Sequence, residues 1–121
     1  MERTTLELAL FRVSQINNCA FCLDMHAKDA RAAGETEQRL YGISAWRETP
    51  WYSAREKAAL HWAEAVTACD VTDNIYQAAL QQFTGEELID LTLAVTTTNT
   101  WNRINNAFPR QPGSYQAGMF G

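Results

Sequence analysis

The feature that most constrains the fold is a series of helix-capping residues, each followed by an apolar stripe with a helical period. Ser53 and Glu56 form a Ser-x-x-Glu capping box, and Thr72 and Thr84 each precede another periodic segment. Patterns that alternate between apolar and polar residues, as strands do, are nearly absent. The chain has 121 residues and 46% of them are hydrophobic, which is enough for one compact core. The sequence therefore predicts an all-α fold, a compact bundle of five or six helices.

The caps and breakers also predict where each helix begins and ends. The predicted helices are a first from Thr4 or Thr5 to about Ile16, a second from Asn17 or Asn18 to Gly34, a short third from Thr36 to Gly42, and three more that follow Ser53, Thr72 and Thr84 and end near Cys69, Phe83 and Ala107. The aromatic-rich stretch 45–52 is predicted to be a connector. Residues 1–108 form the predicted helical domain, and 109–121 form an irregular tail that is either disordered or docked on another subunit.

The distribution of charge excludes several classes of partner. The formal net charge is −4, and charges of both signs are interspersed. Because there is no basic patch and no polybasic run, we expect neither a nucleic acid nor an anionic membrane as a partner. No apolar stretch approaches the ~20 residues that cross a bilayer, and the N-terminus lacks the layout of a signal peptide. We therefore expect a cytoplasmic protein, in which a cysteine pair is catalytic or metal-binding rather than a structural staple.

Cys19, Cys22 and His26 form a Cys-x-x-Cys-x-x-x-His motif. In a helix the three side chains share one face, because they lie at positions i, i+3 and i+7. A helix N-terminus favours the thiolate form of a cysteine, and a nearby histidine can accept the thiol proton. An accessible thiolate beside a second cysteine is typical of peroxide-reducing and redox-sensing sites. The motif therefore predicts thiol redox chemistry.

Two other interpretations of the motif are open. The same three side chains could bind zinc with a fourth ligand from Asp24, His61 or Cys69, although structural zinc sites usually pair two short knuckles and only one is present. The cysteines could also be buried core residues. Haem attachment is excluded, since Leu23 occupies the place where a histidine would have to follow the second cysteine.

Other titratable residues have more ordinary interpretations. Glu7 lies in a helix that is otherwise poor in charge, and in an apolar setting it could serve as a general base. Its residue context alone favours an ion pair with Arg3, one turn earlier. We expect His61 to be partly exposed, Cys69 to lie in the core, and Asp24 to be solvated on the back of the motif's helix.

A polar run at 96–103, Thr-Thr-Thr-Asn-Thr-Trp-Asn-Arg, lies in a helical pattern although threonine is a weak helix former. Such a run can line a pocket or a subunit contact, or it can be held by packing and by side-chain bonds to the preceding turn. The sequence favours the packing interpretation.

The segment from Leu8 to Arg31, which carries the cysteine–histidine motif after Val-Ser-Gln-Ile-Asn, resembles the alkylhydroperoxidase D-like branch of the carboxymuconolactone decarboxylase superfamily. The later segments 44–48, 56–60 and 101–103 are similar to that branch too, so the resemblance covers nearly the whole chain. It implies an all-helical fold that assembles into homo-oligomers, commonly trimers or hexamers. It also implies thiol-dependent reduction of a hydroperoxide substrate without a bound cofactor or metal.

The resemblance assigns a role to each residue of the motif. Cys22 would attack the peroxide oxygen, and Cys19 would resolve the resulting sulfenic acid and then meet an external dithiol reductant protein. His26 and Glu7 match the family's proton relay. The resemblance thus changes the expectation for Glu7 from an ion-pair residue to a relay residue.

Two departures from the family's pattern affect these expectations. Phe21 stands where the characterised hydroperoxidase has a second histidine, so the relay is expected to be shorter or completed by water. Members of the branch usually carry a leading helical segment before the position of Met1, so the first helix is expected to expose an apolar face unless a neighbour covers it. The decarboxylase branch generally lacks the cysteine pair, so lactone decarboxylation is not expected. The alternatives to a peroxidase are a redox-responsive oligomeric protein whose disulfide alters assembly, and a zinc-binding helical protein.

Overall fold

The computed structural model describes residues 1–120 and contains only helices and irregular segments there. Its elements are α1 (Arg3–Ile16), α2 (Ala20–Ala32), α3 (Glu37–Tyr41), a 3-10 helix (Ile43–Glu48), α4 (Ala54–Thr67), α5 (Asp73–Leu80) and α6 (Gly85–Ala107). The predicted all-α bundle is confirmed. The 3-10 helix overlaps the first half of the stretch 45–52, the predicted connector.

Local capping explains most helix starts. Ser53 and Thr84 each accept from the backbone three residues later, and a glutamate returns the bond, which makes two complete capping boxes. The hydroxyls of Thr36 and Thr72 also cap α3 and α5 by accepting from the backbone three residues later, without a returning glutamate bond. The predicted threonine cap of the first helix is wrong, because α1 begins one turn early after Glu2 and has no side-chain cap.

Helix α1 lies at the centre of the bundle, where it contacts α2, α4 and α6. One buried cluster joins α1 to α4, α5 and α6 through residues such as Val13, Trp62 and Leu91. A second cluster joins α1 to α2, α3 and the 3-10 helix, and includes Leu8 and Ile43. Because both clusters share α1, the helix that precedes the cysteine motif is anchored from several sides.

The C-terminal tail folds back onto α2 of its own chain. The Lys28 ammonium donates to the carbonyls of Gly113 and Tyr115 at 3.2 and 3.0 Å. The hydroxyl of Tyr115, a buried residue, donates to the Asp29 carboxylate at 2.8 Å. The expectation of a disordered tail is therefore wrong for these residues, and docking of the tail on another subunit stays a prediction. Long-range bonds of this kind leave no local signal in the sequence.

None of the helices within residues 1–120 is both long and apolar enough to cross a membrane.

Candidate active site

The site begins at the elbow between α1 and α2. Asn18 adopts a left-handed backbone with φ of 52°, which turns the chain sharply after α1. Cys19 then takes the N-cap position of α2, and its Sγ accepts from the Cys22 backbone N–H at 3.3 Å. The prediction that Asn17 or Asn18 caps this helix is wrong by one or two residues. The shift places the first sulfur directly at the helix N-terminus, where the helix dipole favours negative charge.

Cys19 and Cys22 form a disulfide, with their Cα atoms 5.2 Å apart. Both residues are only 1% exposed. In this oxidised form both sulfurs are therefore shielded from solvent, and the accessible thiolate expected of the reduced form stays a prediction. The side chain of Asn105 on α6 contributes to the cover, since its amide donates to the Cys22 Sγ at 3.6 Å.

Glu7 of α1 lies next to His26, the last residue of the motif. The Glu7 Oε2 lies 3.5 Å from the His26 Nδ1, and both residues are buried. Neither of these two atoms has a closer hydrogen-bond partner among the described residues. Arg3 also approaches Glu7, with its Nε 4.0 Å from Oε1 and its side chain largely exposed. The structure thus brings together the two residues that the resemblance paired as a relay, and also holds the arginine contact.

His26 follows Cys22 by one turn of α2, so the two side chains lie on the same face of the helix. Glu7 comes from α1, which packs against that face. The predicted constellation of four residues is therefore gathered at the α1–α2 contact. Their chemical roles stay predictions.

Asparagines of α6 hold the elbow from the other side. The Asn17 amide donates to the side-chain oxygens of Asn99 and Asn102 at 2.8 and 3.0 Å. Asn102 is completely buried and donates to the Ser14 hydroxyl at 3.2 Å. Asn106 donates to the Asn17 carbonyl at 2.7 Å. These bonds fix the end of α1 and the turn that leads to the first cysteine.

Sequence reasoning missed this asparagine ladder, which consists of Asn99, Asn102, Asn105 and Asn106. The available signal was their spacing, since positions three and four apart share one face of a helix. The predicted packing role of the run 96–103 holds for Thr98 and Asn102, which are buried. Trp101, from the same run, is exposed and lines a cleft instead.

That cleft lies beside the disulfide and has a volume of about 570 Å³. Asn105 connects it to the site, since the same side chain lines the cleft and contacts the Cys22 sulfur. The tail supplies part of the wall. The lining residues are Phe21, Met25, Asp29, Trp101, Asn105, Arg110, Tyr115 and Phe120.

The remaining sequence candidates lie elsewhere. Asp24, expected to be solvated, is half-buried and accepts from Lys28 and from the Gly113 backbone, both at 3.0 Å. His61 is partly buried, as expected. Cys69 is exposed and not in the core, because α4 ends at Thr67 and Cys69 has a left-handed φ of 55°. Across residues 1–120 no group of three His, Cys, Asp or Glu side chains is arranged to hold a metal ion.

Comparison with known proteins agrees with this architecture. Residues 1–65 match the model of the carboxymuconolactone decarboxylase family. The uncharacterised protein YdfG of Bacillus subtilis is 45% identical over 117 residues, which span 94% of this chain and 80% of YdfG.

Solved structures give the same picture. A protein of unknown function from Agrobacterium tumefaciens, described as a candidate antioxidant defence protein AhpD, superposes with a TM-score of 0.89. It is 38% identical, and the match covers 95% of this chain and 81% of that one. A peroxidase-related protein from a Silicibacter species superposes with a TM-score of 0.85 over 100% of this chain and 65% of its own. At 22% identity that second likeness shows the fold alone.

Proposed function

This chain belongs to the carboxymuconolactone decarboxylase family, in its AhpD-like branch, and from that premise we propose that it is a thiol-dependent peroxidase. It would act as an antioxidant oxidoreductase that reduces hydroperoxides through the Cys19–Cys22 disulfide. The observation that carries the proposal is the cysteine pair at the N-terminus of α2, with the buried Glu7–His26 contact beneath it.

In the reduced form, His26 takes the proton of the Cys22 thiol, and the thiolate attacks the distal oxygen of the hydroperoxide. The O–O bond breaks, Cys22 becomes a sulfenic acid, and the alkoxide receives the proton and leaves as an alcohol. The Cys19 thiol then attacks the Cys22 sulfur, and the S–S bond forms as water leaves. An external dithiol protein returns two electrons and two protons and becomes a disulfide itself.

Burial of the relay pair supports this assignment. A proton that moves to His26 creates an imidazolium 3.5 Å from the Glu7 carboxylate. In a site with little water, that carboxylate stabilises the positive charge far more than it would at the surface. Glu7 therefore makes the proton transfer from Cys22 more favourable without touching the sulfur.

Because both sulfurs are buried, reduction of the disulfide also requires the site to open. Both cysteines are about 1% exposed in the disulfide form, so an external dithiol reaches them only after a local opening. The cleft reaches Cys22 through Asn105, which lines it and contacts the sulfur. We propose that peroxide enters there and that the tail and α6 move apart during reduction.

We also propose that the protein is a homo-oligomer, a trimer or a hexamer. Helix α6 exposes large apolar side chains at positions separated by one and by three turns, which lie on one side of the helix, and a surface of this kind is typical of a subunit contact. The exposed apolar residues of α6 outside the cleft lining are Ile89, Leu93 and Ile104, and Phe108 follows directly after the helix.

The deciding experiment is peroxide consumption with a small dithiol as reductant. Wild type and Cys69→Ser are expected to turn over equally, because Cys69 is exposed and unpaired. Cys22→Ser is expected to lose all turnover, whereas Cys19→Ser still forms the sulfenic acid but has no internal resolving thiol, so it turns over only as fast as the small dithiol attacks Cys22 directly. Equal turnover by the wild type and Cys22→Ser would remove the assignment.

Burial of both sulfurs favours one second candidate, a redox-responsive protein whose disulfide alters assembly. Measuring the mass of the reduced and oxidised forms in solution separates the two. A change of assembly without peroxide turnover supports the switch, and turnover at constant assembly supports the peroxidase.

A further inference from the structure

The cleft beside Cys22 has an aromatic wall that is larger than hydrogen peroxide needs. Phe21 meets Tyr115 edge to face, with ring centroids 6.4 Å apart, and Tyr115 lies 5.5 Å from Phe120. Trp101 and Phe120 are 55% and 59% exposed, so apolar surface remains open to a ligand. The volume of about 570 Å³ falls in the range of sites that bind small organic molecules.

One cation projects into this apolar space. The Arg110 guanidinium carbon lies 4.3 Å from the centroid of Phe21 and 5.5 Å from that of Phe120. Within residues 1–120 no carboxylate pairs with Arg110. Aromatic stacking occupies the faces of a guanidinium and leaves the N–H groups at its edge free to donate to a planar anion.

The one carboxylate in the cleft lining, Asp29, is already engaged. Its oxygens accept from the Tyr115 hydroxyl at 2.8 and 2.9 Å and from the Gly118 backbone at 3.2 Å. Burial and the bond to Asp29 raise the pKa of Tyr115, so this hydroxyl stays a donor at neutral pH. The bonds hold Asp29 against the tail, while Arg110, which pairs with no carboxylate of residues 1–120, lines the cleft with its charge.

We propose that the cleft selects an organic hydroperoxide that combines an apolar chain with a carboxylate, the chemistry of a fatty-acid hydroperoxide. The chain would lie against Phe21 and Trp101, the carboxylate would bind the edge of Arg110, and the peroxide would point to Cys22 past Asn105. Arg110 is therefore a specificity residue and takes no part in the redox step. This inference rests on the proposed peroxidase function.

The first test compares a fatty-acid hydroperoxide with its methyl ester, which keeps the chain and loses the charge. The readout is the ratio of kcat/KM for the acid to kcat/KM for the ester. We expect Arg110→Gln to lower this ratio roughly tenfold to hundredfold, since it removes a charge-assisted hydrogen bond. Arg31→Gln removes the same charge from an exposed pair with Glu37 and should leave the ratio as in wild type. An unchanged ratio in Arg110→Gln, with turnover intact, would overturn the inference and leave the peroxidase standing.

The second test needs no turnover and therefore separates the two proposals. Calorimetric titration of the disulfide form with decanoate, and with decanol as its neutral analogue, measures binding to the cleft alone. We expect decanoate to bind at least about tenfold more tightly than decanol to wild type and Arg31→Gln, and this preference to disappear in Arg110→Gln. Equal binding of the two compounds to wild type, or no binding of either, would refute the carboxylate site whether or not the peroxidase assay succeeds.

Discussion

The substitution Asn102→Ala tests whether the asparagine ladder stabilises the elbow between α1 and α2, which leads to the first cysteine. Asn102 is fully buried, donates to Ser14 and accepts from Asn17. The change removes two hydrogen bonds of about 1 kcal/mol each and leaves the buried Ser14 hydroxyl without this partner, at a further cost of about 1–2 kcal/mol. Asn17 keeps its bond to Asn99 and is only partly affected. We therefore expect the free energy of unfolding to fall by about 3–4 kcal/mol.

Urea denaturation of the disulfide form, followed by circular dichroism, measures this loss directly. Thr100→Ala is the matched control on the same helix, because Thr100 is exposed and bonds only to the carbonyl one turn back. Its expected change lies within about 0.5 kcal/mol of wild type. If Asn102→Ala costs less than about 1 kcal/mol, the ladder does not stabilise the elbow and this account of how the first cysteine is positioned fails.

Two further predictions concern carboxylates. Burial opposes ionisation of Glu64, but hydrogen bonds from Arg12 and Trp46 outweigh it and lower its pKa below the ordinary 4.5. A lowered folded-state pKa contributes stability that is present above pH 4.5 and is lost as the pH falls through the folded value. Thermal melts of Glu64→Gln should therefore show lower stability than wild type at pH 7 and a smaller acid-induced loss below pH 4.5; parallel melting curves across that window would contradict the ion-pair account. Glu7→Gln should keep the fold and slow peroxide consumption roughly 10²-fold or more, because the charge that supports His26 is gone; turnover equal to wild type would exclude Glu7 from the relay.

Local signals in the sequence predicted the elements whose causes are local. The capping boxes at Ser53 and Thr84 bond within one turn, so four consecutive residues contain the whole interaction. The start of α2 was misplaced because the Asn17 side chain bonds to α6, more than eighty residues away, and so is not free to cap. The tail was misjudged for the same reason, since Tyr115 is held by Asp29 across the chain. The spacing of the α6 asparagines indicates a shared helix face, but no pattern in the sequence identifies the partner that such a face bonds to across the chain.

Phe21 departs from the family's pattern and also forms part of the cleft. A histidine at this position would add a proton carrier between the cysteines, and its absence leaves Glu7 and His26, which lie 3.5 Å apart, as the proposed relay. The phenyl ring has another use, because it forms one wall of the cleft and carries the Arg110 guanidinium on its face. Replacing Phe21 by histidine should therefore weaken decanoate binding by removing apolar wall area, while it lengthens the relay and raises turnover of small peroxides such as hydrogen peroxide. If both the decanoate affinity and the turnover of hydrogen peroxide stay unchanged in Phe21→His, the residue takes part in neither process, and the connection drawn here between a short relay and a selective cleft is wrong.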